Sequence, residues 1–180
     1  DVVRNSLLVR AVLGRHRQPC AVVDGTAGIG RDALQLAVAG CHVLAVEKVP
    51  FLATLLQTSL ALACREAPEH DAIWRRLTVQ EGDAATMLQE LRKLGKAPDV
   101  VYLDPMFSTS KGAQVKKHAQ LLRTFGVPID DLDALLESAR QTAIRRVVVK
   151  RHHLATSIGD EPNHKLLGRT IRFDVYLPKP

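Results

Sequence analysis

The sequence predicts an α/β fold of the doubly wound kind, in which a mostly parallel sheet of seven strands has helices on both faces. Two observations support this prediction. Short apolar segments typical of strands alternate with amphipathic helical segments along all 180 residues. The last two strand-like segments are separated by only a short turn, so they must run antiparallel to each other. The length suits one domain, which we expect to span 1–180.

Seven segments have the composition and length of strands. They are short runs rich in Val, Leu and other apolar residues, bounded by polar residues or glycine. In chain order they cover 21–24, 42–47, 77–81, 99–103, 146–150, 165–167 and 170–177, with a turn at Gly168 between the last two. The first five are separated by helical segments, which predicts parallel strands with right-handed crossovers.

Four helices fit between these strands. Gly40 ends the first of them, and Pro50 suits the first turn of the second. The four segments are 30–39, 50–64, 84–94 and 130–142. Apolar residues at helical spacing predict one buried face on each of three helices. They are Ala33, Leu34, Ala37 and Val38 in the first, Met87, Leu88 and Leu91 in the third, and Leu132, Leu135, Leu136 and Ala139 in the fourth.

The composition argues against several classes of protein. Apolar residues make up 46% of the chain and charged residues 24%, which is typical of a soluble globular domain. No run of about 18 apolar residues could span a bilayer and no signal peptide is visible, so we expect a cytoplasmic protein without a membrane partner. Three widely spaced cysteines favour free thiols over disulfides or a metal site. The net charge of +6 fits either a polyanionic partner or a solvated basic surface.

A glycine-rich loop follows the first strand directly. It reads Asp-Gly-Thr-Ala-Gly-Ile-Gly over 24–30, with Thr26 where a glycine is more usual. The order G-x-x-G-x-G, instead of the dinucleotide-binding G-x-G-x-x-G, favours a loop for S-adenosylmethionine over one for a nicotinamide cofactor. An ordinary strand-to-helix turn is the alternative interpretation. The candidate cofactor-binding residues in the loop are Asp24, Gly25, Gly28 and Gly30.

Acidic residues at the ends of the next two strands extend this candidate site. Glu47 is expected to accept hydrogen bonds from ribose hydroxyls. Asp83, which precedes Ala84, is expected to accept from an adenine amino group. Lys48 either lies near the adenosine or is solvated. Because ligands bind at the carboxyl edge of open α/β sheets, we expect these residues to surround one site.

Two charged residues, Arg31 and Asp32, open the first helix after the glycines. Asp32 favours the positive N-terminus of the helix electrostatically, which is a purely structural role. It could equally hold the amino-acid end of the cofactor. Both interpretations stand at the level of sequence.

The segment Asp104-Pro105-Met106-Phe107 follows the fourth strand and is the most specific motif in the chain. It resembles the D/N-P-P-Y/F motif of methyltransferases that act on exocyclic amines. Asp104 and the Pro105 carbonyl would accept hydrogen bonds from the amine and favour its nucleophilic geometry. Phe107 would stack on the base. The alternatives are a strand-ending turn and a core aromatic.

Three lysines, Lys111, Lys116 and Lys117, come shortly after this motif. Basic side chains beside a base pocket would bind the phosphates that flank the target nucleotide. A solvated helix face is the alternative, and the lysines by themselves favour it.

These motifs, taken together, resemble the RsmJ family of bacterial 16S ribosomal RNA guanine-N2 methyltransferases over nearly the whole chain. The resemblance implies the seven-stranded, Rossmann-like class I methyltransferase fold, and 16S ribosomal RNA or the small ribosomal subunit as partner. It also implies S-adenosylmethionine contacts at Arg31–Asp32, Glu47–Lys48 and Asp83–Ala84, with Asp104 at the reaction centre and no metal. Members of the family have an N-terminal region that we expect to be missing from 1–180. The segments that resemble the family are 24–32, 100–107, 115–117, 146–151 and 172–176.

Three alternatives remain open. An amino-methyltransferase acting on adenine or cytosine in DNA would share the Asp104–Phe107 motif. A nucleotide-binding dehydrogenase would share the doubly wound fold, although the glycine order argues against it. A non-catalytic RNA-binding module could have kept the fold, although the intact Asp104 and glycine loop argue against it.

Overall fold

The computed structural model describes residues 3, 5–16, 18–105 and 131–179. The seven predicted strands form one sheet in the order β3-β2-β1-β4-β5-β7-β6. Strands β1 to β5 are parallel, and β7 runs antiparallel to both β5 and β6. The predicted doubly wound sheet and its closing hairpin are therefore confirmed. The strands are β1 (Ala21–Asp24), β2 (His42–Glu47), β3 (Leu77–Glu81), β4 (Val100–Leu103), β5 (Arg146–His152), β6 (His164–Leu167) and β7 (Ile171–Tyr176).

Helices cover both faces of this sheet because alternate residues along each strand point to opposite faces. Val22 packs in one apolar cluster with Leu36, whereas the next residue, Val23, packs in a second cluster with Leu88. The first cluster includes residues of α1, α2 and α3, and the second includes residues of α5 and α6. In the described part of the chain the helices are α1 (Leu7–Leu13), α2 (Arg31–Val38), α3 (Pro50–Glu66), α4 (Asp71–Trp74), α5 (Ala84–Lys93) and α6 (Leu132–Thr142).

The predicted buried face of α2 was wrong at two positions. Leu34 is 37% exposed and Val38 is 40% exposed, whereas Leu36 is fully buried. The helix packs through Ala33, Leu36 and Ala37, which have the i, i+3, i+4 spacing of a single face. The faces of α5 and α6 pack as predicted, with Leu88, Leu135, Leu136 and Ala139 buried and Met87, Leu91 and Leu132 partly buried against them.

Helix α1 was not predicted. Its N-terminus is capped by the Ser6 hydroxyl, which accepts a hydrogen bond of 3.3 Å from the Val9 amide. Five of its seven residues are buried, and all five belong to the first apolar cluster. The short α4 and two 3₁₀ turns, Gly14–His16 and Pro68–His70, were also not predicted.

Two strand boundaries differ from prediction in ways that bear on the site. Strand β4 begins at Val100, because the Asp99 carboxylate turns to accept a 2.9 Å hydrogen bond from the Ala21 amide. Strand β5 continues two residues past Lys150, because β7 pairs with it as far as His152 and Ile171. Lys150 therefore lies inside a paired strand, opposite Phe173 of β7.

The three cysteines are free thiols, as predicted, with Cys20 and Cys41 buried and Cys64 exposed. None of the helices described is both long and apolar enough to cross a membrane.

Candidate functional site

Carboxylates from three adjacent strands meet at the carboxyl edge of the sheet. Asp24 ends β1, Glu47 ends β2, and Asp104 directly follows β4. Parallel pairing places Asp24 beside Ala45 on one side and Tyr102 on the other, so Glu47 and Asp104 each lie two residues beyond the level of Asp24. The sequence predicted such a convergence for Asp24, Glu47 and Asp83 at the carboxyl edge, and placed Asp104 after the fourth strand of the same sheet.

The glycine loop is attached to both strands that flank β1. The Gly25 amide donates to the Tyr102 carbonyl of β4 at 2.9 Å, and the Ala27 amide donates to the Val46 carbonyl of β2 at 3.0 Å. Gly28 has a φ of +54°, which favours glycine, and nothing lies within 4 Å of the place where a Cβ would stand. The loop is thus fixed at its base and open at Gly28, where a ligand can approach the backbone closely.

Glu47 holds this loop from the side of β2. Its carboxylate accepts hydrogen bonds from the Gly28 amide at 2.7 Å and from the Val49 amide at 2.8 Å, and the residue is only 7% exposed. Each carboxylate oxygen has a second lone pair, so a ribose hydroxyl could still donate to it. The loop-anchoring role was not predicted from the sequence.

Asp83 is the N-cap of α5 and forms an ion pair with Lys48. Its carboxylate accepts from the Thr86 amide at 3.0 Å, and the Lys48 ammonium lies 3.0 Å from its other oxygen. Burial raises the pKa of Asp83, but the hydrogen bond from Thr86 and the nearby Lys48 outweigh it, so the net pKa lies below its usual value. The structure therefore favours an ionised Asp83 and an ordered Lys48.

A cavity of about 200 Å³ brings these residues together with the glycine loop. Drug-sized ligands occupy pockets of roughly 300–1,000 Å³, so this cavity suits one ring of a larger ligand. It lies between the N-terminal ends of α5 and α6. The described residues that line it are Gly25, Lys48, Asp83, Ala84, Ala85, Asp131, Ala134 and Leu135.

A second group of charged residues lies beside Asp104. The Lys150 ammonium donates to Asp104 Oδ2 at 2.9 Å and to Asp32 Oδ2 at 2.8 Å. The Tyr102 hydroxyl also donates to Asp32 Oδ2, at 2.5 Å. One cation thus bridges the residue that opens α2 and the residue that follows β4. Asp32 therefore has a bonding role beyond the N-terminus of its helix.

Partial burial changes the acidity of this group. Burial raises the pKa of Asp104, Lys150 opposes the shift, and the net pKa lies above the ordinary value. Burial lowers the pKa of Lys150, but its hydrogen bonds to Asp32 and Asp104 outweigh this and hold it above the ordinary value. Burial raises the pKa of Asp24 to about 8. The site therefore combines an ammonium, Lys150, and two carboxyl groups, Asp24 and Asp104, whose pKa values all lie above the ordinary ones.

Thr26 connects the glycine loop to the Asp104 motif. Its hydroxyl accepts a hydrogen bond of 2.6 Å from the Asp104 amide. A glycine at this position could not make the contact, which gives the departure from the usual glycine pattern a physical reason. The link fixes the backbone of Asp104 relative to the loop.

Not every predicted site residue joins these contacts. Arg31 is exposed at the start of α2, and Pro105 is buried directly after Asp104. Four further predicted site residues lie outside the described residues: Phe107, Lys111, Lys116 and Lys117.

The sequence reasoning did not predict a role for Lys150, Tyr102 or Thr26. A signal for Lys150 was available, because β4 and β5 are consecutive parallel strands whose pairing matches Leu103 with Val149. That register places Lys150 opposite Asp104. A lysine at the end of an otherwise apolar strand was therefore a candidate partner for the neighbouring strand's carboxylate.

Comparison with known proteins agrees with this geometry. Residues 1–178 match the family model SAM_MT, described as "Putative SAM-dependent methyltransferase". A relative from Stutzerimonas stutzeri named ribosomal RNA small subunit methyltransferase J is 44% identical over 162 residues, covering 88% of this chain and 61% of the relative. A relative of the same name from Thioalkalivibrio sulfidiphilus is 41% identical over 177 residues, covering 97% of this chain and 69% of the relative. The chain thus spans roughly two thirds of the length of these curated relatives.

The fold also matches a solved structure. The crystal structure of a SAM-dependent methyltransferase from Neisseria gonorrhoeae superposes with a TM-score of 0.77 at 37% identity, covering 96% of this chain and 71% of the other. The predicted Rossmann-like methyltransferase fold is confirmed by this match.

Proposed function

The chain belongs to the family of SAM-dependent methyltransferases that includes ribosomal RNA small subunit methyltransferase J, and on that premise we propose a reaction for it. It transfers the methyl group of S-adenosylmethionine to the exocyclic N2 amine of a guanine in small-subunit (16S) ribosomal RNA. The substrate is either the free RNA or the small ribosomal subunit, which places the protein in the cytoplasm.

The residues present suit S-adenosylmethionine by their charge and shape. The cofactor has a positive sulfonium and a positive ammonium, and the edge of the sheet has five carboxyl side chains near the glycine loop, of which Asp24 is buried and mostly protonated at neutral pH. The backbone at Gly28 is open to close approach. When bound, the cofactor supplies an electrophilic methyl group. The five carboxyl side chains are those of Asp24, Asp32, Glu47, Asp83 and Asp104.

Each part of the cofactor has a group of residues that would hold it. The cavity lined by Lys48, Asp83 and Ala84 would take the adenine ring. Glu47, beside the loop, would accept from the ribose hydroxyls through its remaining lone pairs. Asp32 would accept from the ammonium of the amino-acid end, because its Oδ1 has no partner among the described residues.

Asp104 would act on the target amine. The lone pair of an exocyclic base amine is delocalised into the ring, so the amine is a poor nucleophile. A carboxylate aligned with its N–H bonds favours the tetrahedral geometry and can take up the proton that the amine loses on methylation. The raised pKa of Asp104 makes it a stronger proton acceptor than an aspartate in water. Pro105, whose φ is restricted, would present its carbonyl as a second acceptor.

Lys150 would serve as a positioning residue for Asp104. Its ammonium holds one carboxylate oxygen, Oδ2, and leaves Oδ1 to face the amine. Its second bond, to Asp32, ties that orientation to the start of α2. The pair is partly buried, which strengthens the two hydrogen bonds that maintain this orientation.

The observation that carries the proposal is the 2.6 Å hydrogen bond between the Thr26 hydroxyl and the Asp104 amide. It joins the loop proposed to hold the cofactor to the residue proposed to bind the amine. Methyl transfer requires the amine and the methyl group to be held within roughly 3–3.5 Å and in line. A direct link between the two binding elements supports that alignment.

The test uses the natural protein with small-subunit ribosomal RNA from cells that lack its gene. Labelled S-adenosylmethionine should transfer its methyl group to this RNA, and mass spectrometry of the digested RNA should find N2-methylguanine. Label in adenine or cytosine of DNA would instead support the amino-methyltransferase alternative. RNA binding without transfer would support the non-catalytic one. Calorimetry with S-adenosylmethionine and with NAD tests the dehydrogenase alternative, because only a dehydrogenase should bind NAD.

A further inference from the structure

A basic cleft lies at the amino edge of the sheet, opposite the carboxylate cluster. It has a volume of about 750 Å³. It is formed where the C-terminal end of α1 and the following 3₁₀ turn meet β5, β6 and β7. The described residues that line the basic cleft are Arg10, Gly14, Arg15, Arg146, His164, Leu166 and Val175.

The charge of the basic cleft is not balanced by the protein. In the described part of the chain, no ion pair involves Arg10, Arg15 or Arg146, and no acidic side chain lines the cleft. Arg75, by contrast, forms an ion pair with Asp71. Three unpaired guanidinium groups around one concave surface attract anions strongly.

Arg146 is built into the floor of the cleft. Its Nη1 donates to the Ala11 carbonyl at the end of α1, at 3.4 Å, and its Nε is buried with no hydrogen-bond partner. A Cβ on Gly14 would lie 2.6 Å from the guanidinium, so glycine leaves the room that the arginine occupies. A buried unpaired N–H is costly, and the guanidinium that carries it places a positive charge at the floor of the cleft.

Strand β5 connects the basic cleft to the proposed reaction centre. Arg146 begins β5, and Lys150, which binds Asp104, lies four residues further along the same strand. At about 3.3 Å per residue the two positions are roughly 13 Å apart. The carboxyl edge is rich in carboxylates and would repel phosphates. A nucleic acid whose base enters the carboxyl edge could reach further cations for its backbone at the basic cleft.

We propose that the basic cleft binds backbone phosphates of the RNA that flank the target guanine, an inference that rests on the proposed function. Guanidinium groups donate in pairs to phosphate oxygens, and the cleft is far larger than a single phosphate ion. The partly buried Leu166 beside the arginines offers apolar contact to the sugars. The contact supplies affinity and orientation, and sequence is read at the reaction centre.

The test compares two double variants of the natural protein that each remove two positive charges. Arg10→Gln with Arg15→Gln changes exposed residues of the basic cleft. Arg65→Gln with Lys93→Gln changes exposed residues of α3 and α5, outside the cleft, and is the matched control. Filter binding with unmodified small-subunit ribosomal RNA at several salt concentrations gives the dissociation constant and its salt dependence.

The cleft variant should bind RNA roughly tenfold more weakly and lower the slope of log affinity against log salt by about 1.5, because two phosphate contacts are lost. The Arg65→Gln, Lys93→Gln control should change the RNA affinity and the salt slope far less. Arg10→Lys with Arg15→Lys keeps both charges and should retain most of the slope. Equal losses in the cleft variant and the control would overturn the proposal. Unchanged RNA affinity in the cleft variant would overturn it too, whatever its melting temperature.

The RNA measurement needs no cofactor, so it can fail independently of the proposed function. If the wild type transfers methyl groups and the cleft variant binds RNA normally, only the cleft assignment falls. If the wild type binds RNA through the cleft but does not bind S-adenosylmethionine, the proposed function falls instead.

Discussion

The Lys150 ammonium donates a 2.9 Å hydrogen bond to the Asp104 carboxylate across two neighbouring parallel strands. Removing Lys150 would leave Asp104 partly buried without its cation. Because Lys150 opposes the rise in the pKa of Asp104, the pKa should rise further in its absence.

The first prediction concerns Lys150→Met. Methyl transfer should slow, and the ascending limb of its pH profile should move to higher pH, because Asp104 must be ionised to accept the proton. Lys150→Arg should restore much of the rate at neutral pH. Single-turnover rates between pH 6 and 9 measure both effects. Lys165→Met removes a comparable lysine-carboxylate pair on an exposed hairpin and serves as control. A slower variant with an unshifted profile would make Lys150 merely structural.

The second prediction concerns Asp104→Ala, which should reduce single-turnover methyl transfer about a hundred- to a thousandfold by analogy with the loss of an oxyanion-hole donor. Cofactor affinity should change little, because Thr26 bonds to the backbone amide of Asp104 and not to its side chain. Asp104→Asn should also be impaired, since an amide cannot take up the proton. Near-normal rates in Asp104→Ala would remove Asp104 from the reaction.

The third prediction concerns Thr26→Val, which keeps the shape of the side chain but cannot accept from the Asp104 amide. The amide would shift, and small displacements of reacting groups are costly, so the rate should fall roughly ten- to a hundredfold. Thr26→Ser keeps the hydroxyl and should stay close to wild type. Rates and melting temperatures of the two variants check this. Equal activity in Val and Ser variants would show that the hydrogen bond does not position Asp104.

The fourth prediction concerns Glu47→Ala, which should weaken S-adenosylmethionine binding by roughly ten- to a hundredfold, the equivalent of about 1.5–3 kcal/mol. It should also destabilise the fold by about 1–3 kcal/mol, because the buried Val49 amide loses its acceptor. Glu47→Gln should recover part of the stability through its single carbonyl oxygen. Calorimetry and urea unfolding measure the two effects. Unchanged affinity in a folded Ala variant would exclude Glu47 from the cofactor site.

The fifth prediction concerns the pH dependence of stability through Asp24, whose burial raises its pKa to about 8. The unfolded chain releases this proton near pH 3.9, so between those values the native state holds the extra proton. Stability should therefore fall as pH rises through this window, by at most about 1.4 kcal/mol per pH unit.

Asp24→Asn removes the titration and should gain stability relative to wild type from pH 5 to pH 8. Its carbonyl oxygen can still accept from the Thr26 amide, as Asp24 does at 3.1 Å. Urea unfolding at four pH values, with the exposed Asp133→Asn as control, gives the comparison. Parallel stability curves for Asp24→Asn and wild type would contradict the prediction.

The sequence predicted the fold well because its strands are short and clearly bounded. Strands β1, β2 and β3 begin and end at the predicted residues, and each is followed directly by glycine or a charged residue. Helix α1 was harder, because its burial depends on packing against strands that come much later in the chain. The α2 face was misread because Leu34 and Val38 are as apolar as the residues that are buried.

The candidate site was only partly predictable for a similar reason. The acids Asp24, Glu47 and Asp104 come from local patterns at strand ends. The contact of Lys150 with Asp32 joins residues 118 positions apart and depends on strand order and register. No local pattern encodes that pairing. The position of Thr26 in the loop was visible, but its partner was not.

The backbone hydrogen bonds at the base of the glycine loop determine how this region exchanges with solvent. Gly25 and Ala27 donate to carbonyls of β4 and β2, so their amides are held by the central strands of the sheet. Loops at ligand sites usually open at low free-energy cost and exchange their amide hydrogens quickly. Here those two amides should exchange only when the centre of the sheet opens, as slowly as the most protected amides of β1. The base of the loop should therefore open only together with the central strands, even though the loop faces the solvent at Gly28.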